Sequence, residues 1–146
     1  MLVHGTCVEL DGAGLLLCGP SGAGKSDLAL RLITYHGAKL VADDQVILGA
    51  ARDVLNASAP ASLAGLLEVR GVGIVPLAHK AGTTLTLVVE LCDREAVSRM
   101  PEPETRTLDG CAIPLMRLYP HDASAPAKLC LMIARIQAES EIRDDI

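Results

Sequence analysis

Eight residues, Gly19-Pro20-Ser21-Gly22-Ala23-Gly24-Lys25-Ser26, meet the Walker A spacing G-x-x-x-x-G-K-[ST] at every required position. The motif works only where a buried strand runs into a tight loop and a helix begins. There the glycines let backbone N–H groups curl around phosphate oxygens, and the helix N-terminus presents its positive dipole end. Lys25 reaches the outer phosphates and the Ser26 hydroxyl suits Mg2+. The flanks agree with this demand. Gly14-Leu15-Leu16-Leu17-Cys18 is a short apolar run, and Asp27-Leu28-Ala29-Leu30-Arg31-Leu32-Ile33 has helical periodicity. A glycine-rich turn with an incidental Lys and Ser is the competing reading, and it does not account for both flanks. The sequence therefore predicts a strand–loop–helix unit that binds a nucleotide through residues 19–26.

Composition limits what surrounds that unit. Half of the 146 residues are hydrophobic, yet Phe and Trp are absent and Tyr35 and Tyr119 are the only aromatics, so the core is aliphatic and a nucleobase has few rings to stack on. A net charge of -5 without a basic stripe argues against a nucleic-acid partner, which needs clustered Lys and Arg. Five cysteines, odd in number and without C-x-x-C spacing, read as buried free thiols in a reducing compartment. The chain start has no basic and apolar signal pattern, and no apolar run is long enough to span a bilayer, so the expectation is a cytoplasmic protein without a membrane partner. The length predicts a single domain over 1–138, followed by a charged, frayed tail over 139–146.

Along the chain, partial alternation over 3–10 predicts a strand, and Asp11-Gly12 predicts a hairpin turn into Leu15-Leu16-Leu17. The helix after the motif is expected over 25–35, ending at His36-Gly37. A strand over 39–42 delivers Asp43 and Asp44 at its end, and 45–50 continues as a strand. Residues 57–67 read as a loop entering a short helical turn. Gly71 and Gly73, after Glu68 and Arg70, suggest backbone bent close to a site. Residues 83–91 form the clearest strand, 94–109 a solvated excursion, 113–118 an edge strand, 120–127 a loop and 129–136 a helix.

Phosphoryl transfer needs in-line positioning, Mg2+ on phosphate oxygens, and a base or positioner for the attacking oxygen. Asp43 and Asp44 are suited to divide the last two tasks. Successive strand side chains point opposite ways, so both acids reach the site only if the strand ends or bends there. A solvated strand end, or a metal ligand with no base beside it, is the alternative.

Read together, these stretches resemble the HPr kinase/phosphorylases, bacterial enzymes that phosphorylate a serine of the small phosphocarrier HPr. The resemblance rests on Val3-His4-Gly5, on the Walker run, on Gly37-x-x-Leu40-Val41-Ala42-Asp43-Asp44, and on Leu67-Glu68-Val69-Arg70-Gly71-Val72-Gly73-Ile74. It implies an α/β fold, a P-loop-containing mixed sheet with flanking helices akin to phosphoenolpyruvate carboxykinase. It makes Asp44 the favoured proton acceptor, with Asp43 beside it, His4 assisting the acid pair and Lys25 on the phosphates. Arg70 neutralises developing charge on that reading, a structural ion pair being its alternative, and Ser26 and Glu68 become Mg2+ ligands. ATP and Mg2+ are the implied cofactors. HPr or an HPr-like phosphocarrier of a regulatory phosphotransferase system is the implied partner, and a homo-oligomer the implied assembly.

Departures accompany the resemblance. The expectation is a minimal version of the family, beginning almost at the P-loop domain without the usual separate N-terminal domain, and with the helices that normally follow missing or shortened after Ile136. Where the family carries an arginine-bearing segment tied to phosphorolysis, this chain has Tyr119-Pro120-His121-Asp122-Ala123-Ser124-Ala125-Pro126-Ala127-Lys128. A small-molecule P-loop kinase and a non-catalytic nucleotide sensor are the alternative functions.

Overall fold

The computed structural model describes residues 1–144. Among them lie eleven strands and two α-helices in the order β1 Leu2–His4, β2 Thr6–Leu10, β3 Ala13–Cys18, α1 Lys25–His36, β4 Lys39–Ala42, β5 Gln45–Ala51, β6 Val54–Ser58, β7 Leu66–Val69, β8 Gly73–Pro76, β9 Gly82–Leu91, β10 Glu104–Leu108, β11 Cys111–Leu118 and α2 Ala125–Asp144. Nine strands form one mixed sheet ordered β1-β5-β6-β9-β3-β2-β4, with β11 added to β9 and β10 to β11; β7 and β8 make a separate hairpin.

The ten-residue β9 organises the sheet. Its start, from Gly82 to Thr84, pairs antiparallel with β6, while Val88 to Leu91 pair parallel with β11 and Leu85 to Glu90 pair parallel with β3. One strand thus serves different neighbours along its length, and the sheet curls. Period-two alternation then sorts the aliphatic residues onto two faces. Leu15, Leu17, Leu87 and Val89 face α1 and α2, where Leu28, Leu32, Leu129 and Ile133 meet them. Leu16, Val88, Val46, Leu48 and Leu55 fill the other side, beneath the curl. Each fully buried leucine contributes about 1.5–3 kcal/mol relative to exposure, so an aromatic-poor chain still holds a core.

Several expected elements are observed nearly as read. The β2–β3 hairpin closes on Asp11 and Gly12, both at positive φ (52° and 80°), as a tight I′-type turn requires. Helix α1 ends one residue later than expected, at the left-handed Gly37. Other expectations are corrected. The strand read over 3–10 breaks at Gly5, where any Cβ would lie 2.9 Å from the Leu17 carbonyl oxygen, and the two halves join different neighbours. The loop read over 57–67 begins inside β6, and the bent stretch after Leu66 is the β7–β8 hairpin. Within the solvated excursion, Arg106 of β10 pairs with Glu90, and β10 runs antiparallel to β11. Strand β11 is interior to the sheet, with Pro114 just outside the stretch paired with β9. Helix α2 runs through Asp144 where a frayed tail was expected over 139–146; residues 145–146 lie outside the described residues. Of the five thiols, Cys7 is fully buried and the others are half-buried, so the buried-thiol expectation holds only for Cys7. No helix among the described residues is long and apolar enough to cross a membrane.

Candidate functional site

The loop from β3 to α1 borders a cleft of about 590 Å³ lined by Ser21, Gly22, Gly24, Lys25 and Ser26, by His4, Asp43 and Asp44, and by Glu68 and Arg70 of the β7–β8 hairpin. Four separate stretches converge there. The loop needs its glycines: Gly24 sits at φ 101°, and a Cβ on it would lie 3.2 Å from the His121 ring. Lys25 is nearly buried and its Nζ donates to the Gly19 and Pro20 carbonyls at 2.6 and 3.0 Å, so the ammonium closes the loop onto itself. Pro20 and Ala23 line an adjoining cavity together with Ser21 and Gly22.

The two aspartates differ sharply. Asp43, at the end of β4, is 9% exposed. Its Oδ1 accepts from the Thr6 hydroxyl at 2.8 Å and from Ser26 Oγ at 3.1 Å, and its Oδ2 accepts from the Glu68 backbone N–H at 3.1 Å. The carboxylate therefore ties β2, α1 and β7 together. Asp44 has φ 70°, and the Asp43 carbonyl accepts the Gln45 N–H at 2.8 Å across it, closing a three-residue turn. This sharp bend sends the two acids to the same cleft despite strand alternation. The Asp44 side chain is 66% exposed and lies 3.7 Å from His4 Nδ1, a solvated pair of small energetic worth. A non-glycine residue held at positive φ stores strain that persists only where surroundings impose it, a common property of working sites.

Ser26 Oγ and the Asp43 carboxylate are adjacent and the Glu68 carboxylate lines the same wall, a donor set that suits a hard cation such as Mg2+. Among the described residues no cluster of three His, Cys, Asp or Glu side chains forms a cage. Mg2+ at phosphoryl-transfer sites characteristically relies on one or two protein oxygens plus substrate phosphates.

Thr6, Asp27 and His121 also line the cleft and were missed in the sequence. Thr6 carried a legible signal, lying two residues after His4 in an alternating stretch, and Asp27 directly follows the motif serine. His121 had none, because its segment is brought to the loop by long-range ties. Arg31 of α1 donates to the Pro120 carbonyl and, at 3.4 Å, to that of Asp122; the Asp122 carboxylate accepts from the Arg94 guanidinium at 2.8 and 3.1 Å. Burial pushes the Cys7 thiol up to about 12 and raises Cys18, so neither is an ionised nucleophile near neutral pH.

The HPr serine kinase C-terminal domain family matches residues 1–122. An HPr kinase/phosphorylase of Lactobacillus delbrueckii subsp. bulgaricus is 36% identical over 123 residues, covering 76% of this chain and 39% of that protein. One from Clostridium kluyveri is 41% identical over 85 residues, covering 58% and 27%. The chain thus spans well under half the length of these curated relatives. The solved HPr(Ser) kinase/phosphatase of Coxiella burnetii superposes with a TM-score of 0.88 at 23% identity, over 99% of this chain and 95% of that one, which establishes the mixed α/β fold. With the family match spanning most of its length, the chain belongs to the HPr serine kinase C-terminal domain family.

Proposed function

We propose that the chain carries the catalytic site of an ATP- and Mg2+-dependent protein serine kinase, acting on HPr or an HPr-like phosphocarrier. The observation that carries this reading is the division of labour between the acids. Asp43 is engaged by three donors and held against Ser26, whereas Asp44 stands open at the mouth with His4 beside it. Ser26 and Asp43, with Glu68 near, would hold Mg2+, which would supply charge neutralisation on the phosphate oxygens. Lys25 exchanges its bonds to the loop carbonyls for bonds to the outer phosphates, and the loop N–H groups orient them. Asp44 accepts the proton of the attacking serine hydroxyl as the new O–P bond forms and the bond to the bridging phosphate oxygen breaks, leaving ADP. His4 orients Asp44, and Arg70, across the cleft on the β7–β8 hairpin, stabilises charge on the transferred group.

The fold supports the same reading. The strand leading into the loop lies between antiparallel β2 and parallel β9, a mixed arrangement consistent with a phosphoenolpyruvate-carboxykinase-like P-loop domain. Phosphorolysis, in which inorganic phosphate takes the phosphoryl group from seryl phosphate to form pyrophosphate, would run through the same groups in reverse but without the arginine that the resemblance ties to it, since residues 119–128 carry none. A homo-oligomer belongs to this proposal too, with Leu131 and Ile142 of α2 exposed and available for burial.

The test incubates the protein with HPr, ATP and Mg2+ and maps the phosphate by mass spectrometry. Serine phosphorylation is expected, and Asp44→Asn should lose about 10²–10⁴-fold in transfer rate while ATP affinity by calorimetry is retained. Phosphate on histidine alone, or on none of the carriers offered, refutes the proposal.

A further inference from the structure

A second cavity, about 430 Å³, adjoins the first across the loop; Ser21, Gly22 and His121 line both. Its walls differ in chemistry. The first cleft is lined by Lys25, Arg70, His4 and four carboxylates. The second is walled by Leu91, Ala96 and Pro120, by the Tyr119 ring, and by one carboxylate, that of Asp93. Each volume lies within the range of ligand pockets, roughly 300–1,000 Å³.

The wall formed by residues 119–121 is held from two sides. The Arg94 guanidinium lies 4.5 Å from the Tyr119 ring centroid and also binds the Asp122 carboxylate, while Arg31 holds the carbonyls on either side of His121. The Tyr119 and His121 rings meet edge to face, with centroids 5.3 Å apart. Asp93 precedes the short helical turn Arg94–Ala96 without capping it through its side chain.

We propose that this second cavity is the nucleoside subsite, with residues 119–121 as its recognition wall. The inference rests on the nucleotide reading of the loop and extends it. A nucleotide with its phosphates at Lys25 and Ser26 must send its nucleoside over one rim of the loop, and this cavity shares Ser21, Gly22 and His121 with the first. The base packs against Tyr119, Leu91 and Ala96, and the Asp93 carboxylate accepts from the ribose hydroxyls. His121 stands at the junction, where the phosphate chain passes. Although the chain has only two aromatic residues, one of them is spent on this wall.

The discriminating probe is inorganic tripolyphosphate, which carries the phosphates of ATP without its nucleoside. Calorimetry with Mg2+ compares ATP and tripolyphosphate on the wild type, Lys25→Ala, Tyr119→Ala and Tyr119→Phe. Lys25→Ala should weaken both ligands. Tyr119→Ala should weaken ATP about tenfold, as loss of a ring packed on a base does, with tripolyphosphate unchanged, and Tyr119→Phe should retain wild-type ATP affinity. Equal loss of both ligands in Tyr119→Ala, no loss of ATP, or a raised KM for the protein substrate with ATP affinity intact overturns the subsite and leaves the nucleotide reading standing. If neither ligand binds the wild type, the nucleotide reading falls and the subsite with it.

Discussion

Replacing Thr6 by Val tests whether the site is built on the Asp43 anchor. Thr6 is fully buried and its hydroxyl donates to Asp43 Oδ1 at 2.8 Å. A hydrogen bond to a charged group contributes about 1.5–3 kcal/mol, and the methyl that replaces the hydroxyl recovers at most about 0.8 kcal/mol by burial. The net expectation is a destabilisation of about 1–2 kcal/mol, since Asp43 keeps its bonds from Ser26 and the Glu68 N–H. For a chain of this size that lowers Tm by roughly 2–8 °C. Urea unfolding followed by far-UV circular dichroism gives the number directly. A double-mutant cycle supplies the mechanism: in an Asp43→Ala background, Thr6→Val should cost far less, because its partner is gone. Additive costs, or a Thr6→Val protein as stable as the wild type, would refute the anchor argument.

Three further outcomes follow from other parts of the molecule. The Glu9 carboxyl is held below its usual 4.5 first by its hydrogen bond from Lys80, then by that from Thr83, with Lys39 adding a smaller attraction against the opposing effect of burial. Since the folded state binds this proton less tightly than the unfolded chain, the stabilisation is present above about pH 4.5 and fades as pH falls through the folded value. Glu9→Gln should therefore be less stable than wild type at pH 7 and converge with it in acid, as read by urea midpoints across pH. Leu87→Ala, in the centre of β9 and fully buried, should cost about 2–5 kcal/mol in the same assay. Ser26→Ala, which removes a hydroxyl from the proposed Mg2+ set, should raise the Mg2+ concentration at half-maximal phosphoryl transfer, while an unchanged Mg2+ dependence would exclude Ser26 as a ligand.

Features that depend on a few neighbouring residues were readable in the chain. The Walker spacing with its flanks announced β3, the loop and α1, and Asp11-Gly12 announced the turn between β2 and β3. The paired acids, Glu68 and Arg70 line the cleft, whereas Gly71 and Gly73 sit at the open end of the β7–β8 hairpin with nothing within 4 Å of an added Cβ. Long-range partners decide the rest. Strand β10 closes on β11 through Asp109-Gly110, both at positive φ, a local turn signal of the same kind as Asp11-Gly12 that the charge of the segment masked, while its tie to Glu90 is set by the fold. Val54–Ser58 became a strand by pairing with β5 and β9, and the end of α2 stays helical where charge content suggested fraying.

The same boundary runs through the site. Sequence by itself determined that a Walker-spaced loop, two adjacent carboxylates, a histidine and a glycine-bearing stretch with Glu68 and Arg70 belong to one chain, since residue type and spacing set that chemistry. Spacing left the roles of the two aspartates open, and only the family resemblance favoured Asp44. Tertiary structure separated them, through three donors from Thr6, Ser26 and the Glu68 backbone that hold Asp43 and a left-handed turn that exposes Asp44. It also brought Tyr119 and His121 to the loop through Arg31 and Arg94. Hydrogen bonds between residues dozens of positions apart have no signature in spacing; they exist only once the sheet has curled and the helices have packed.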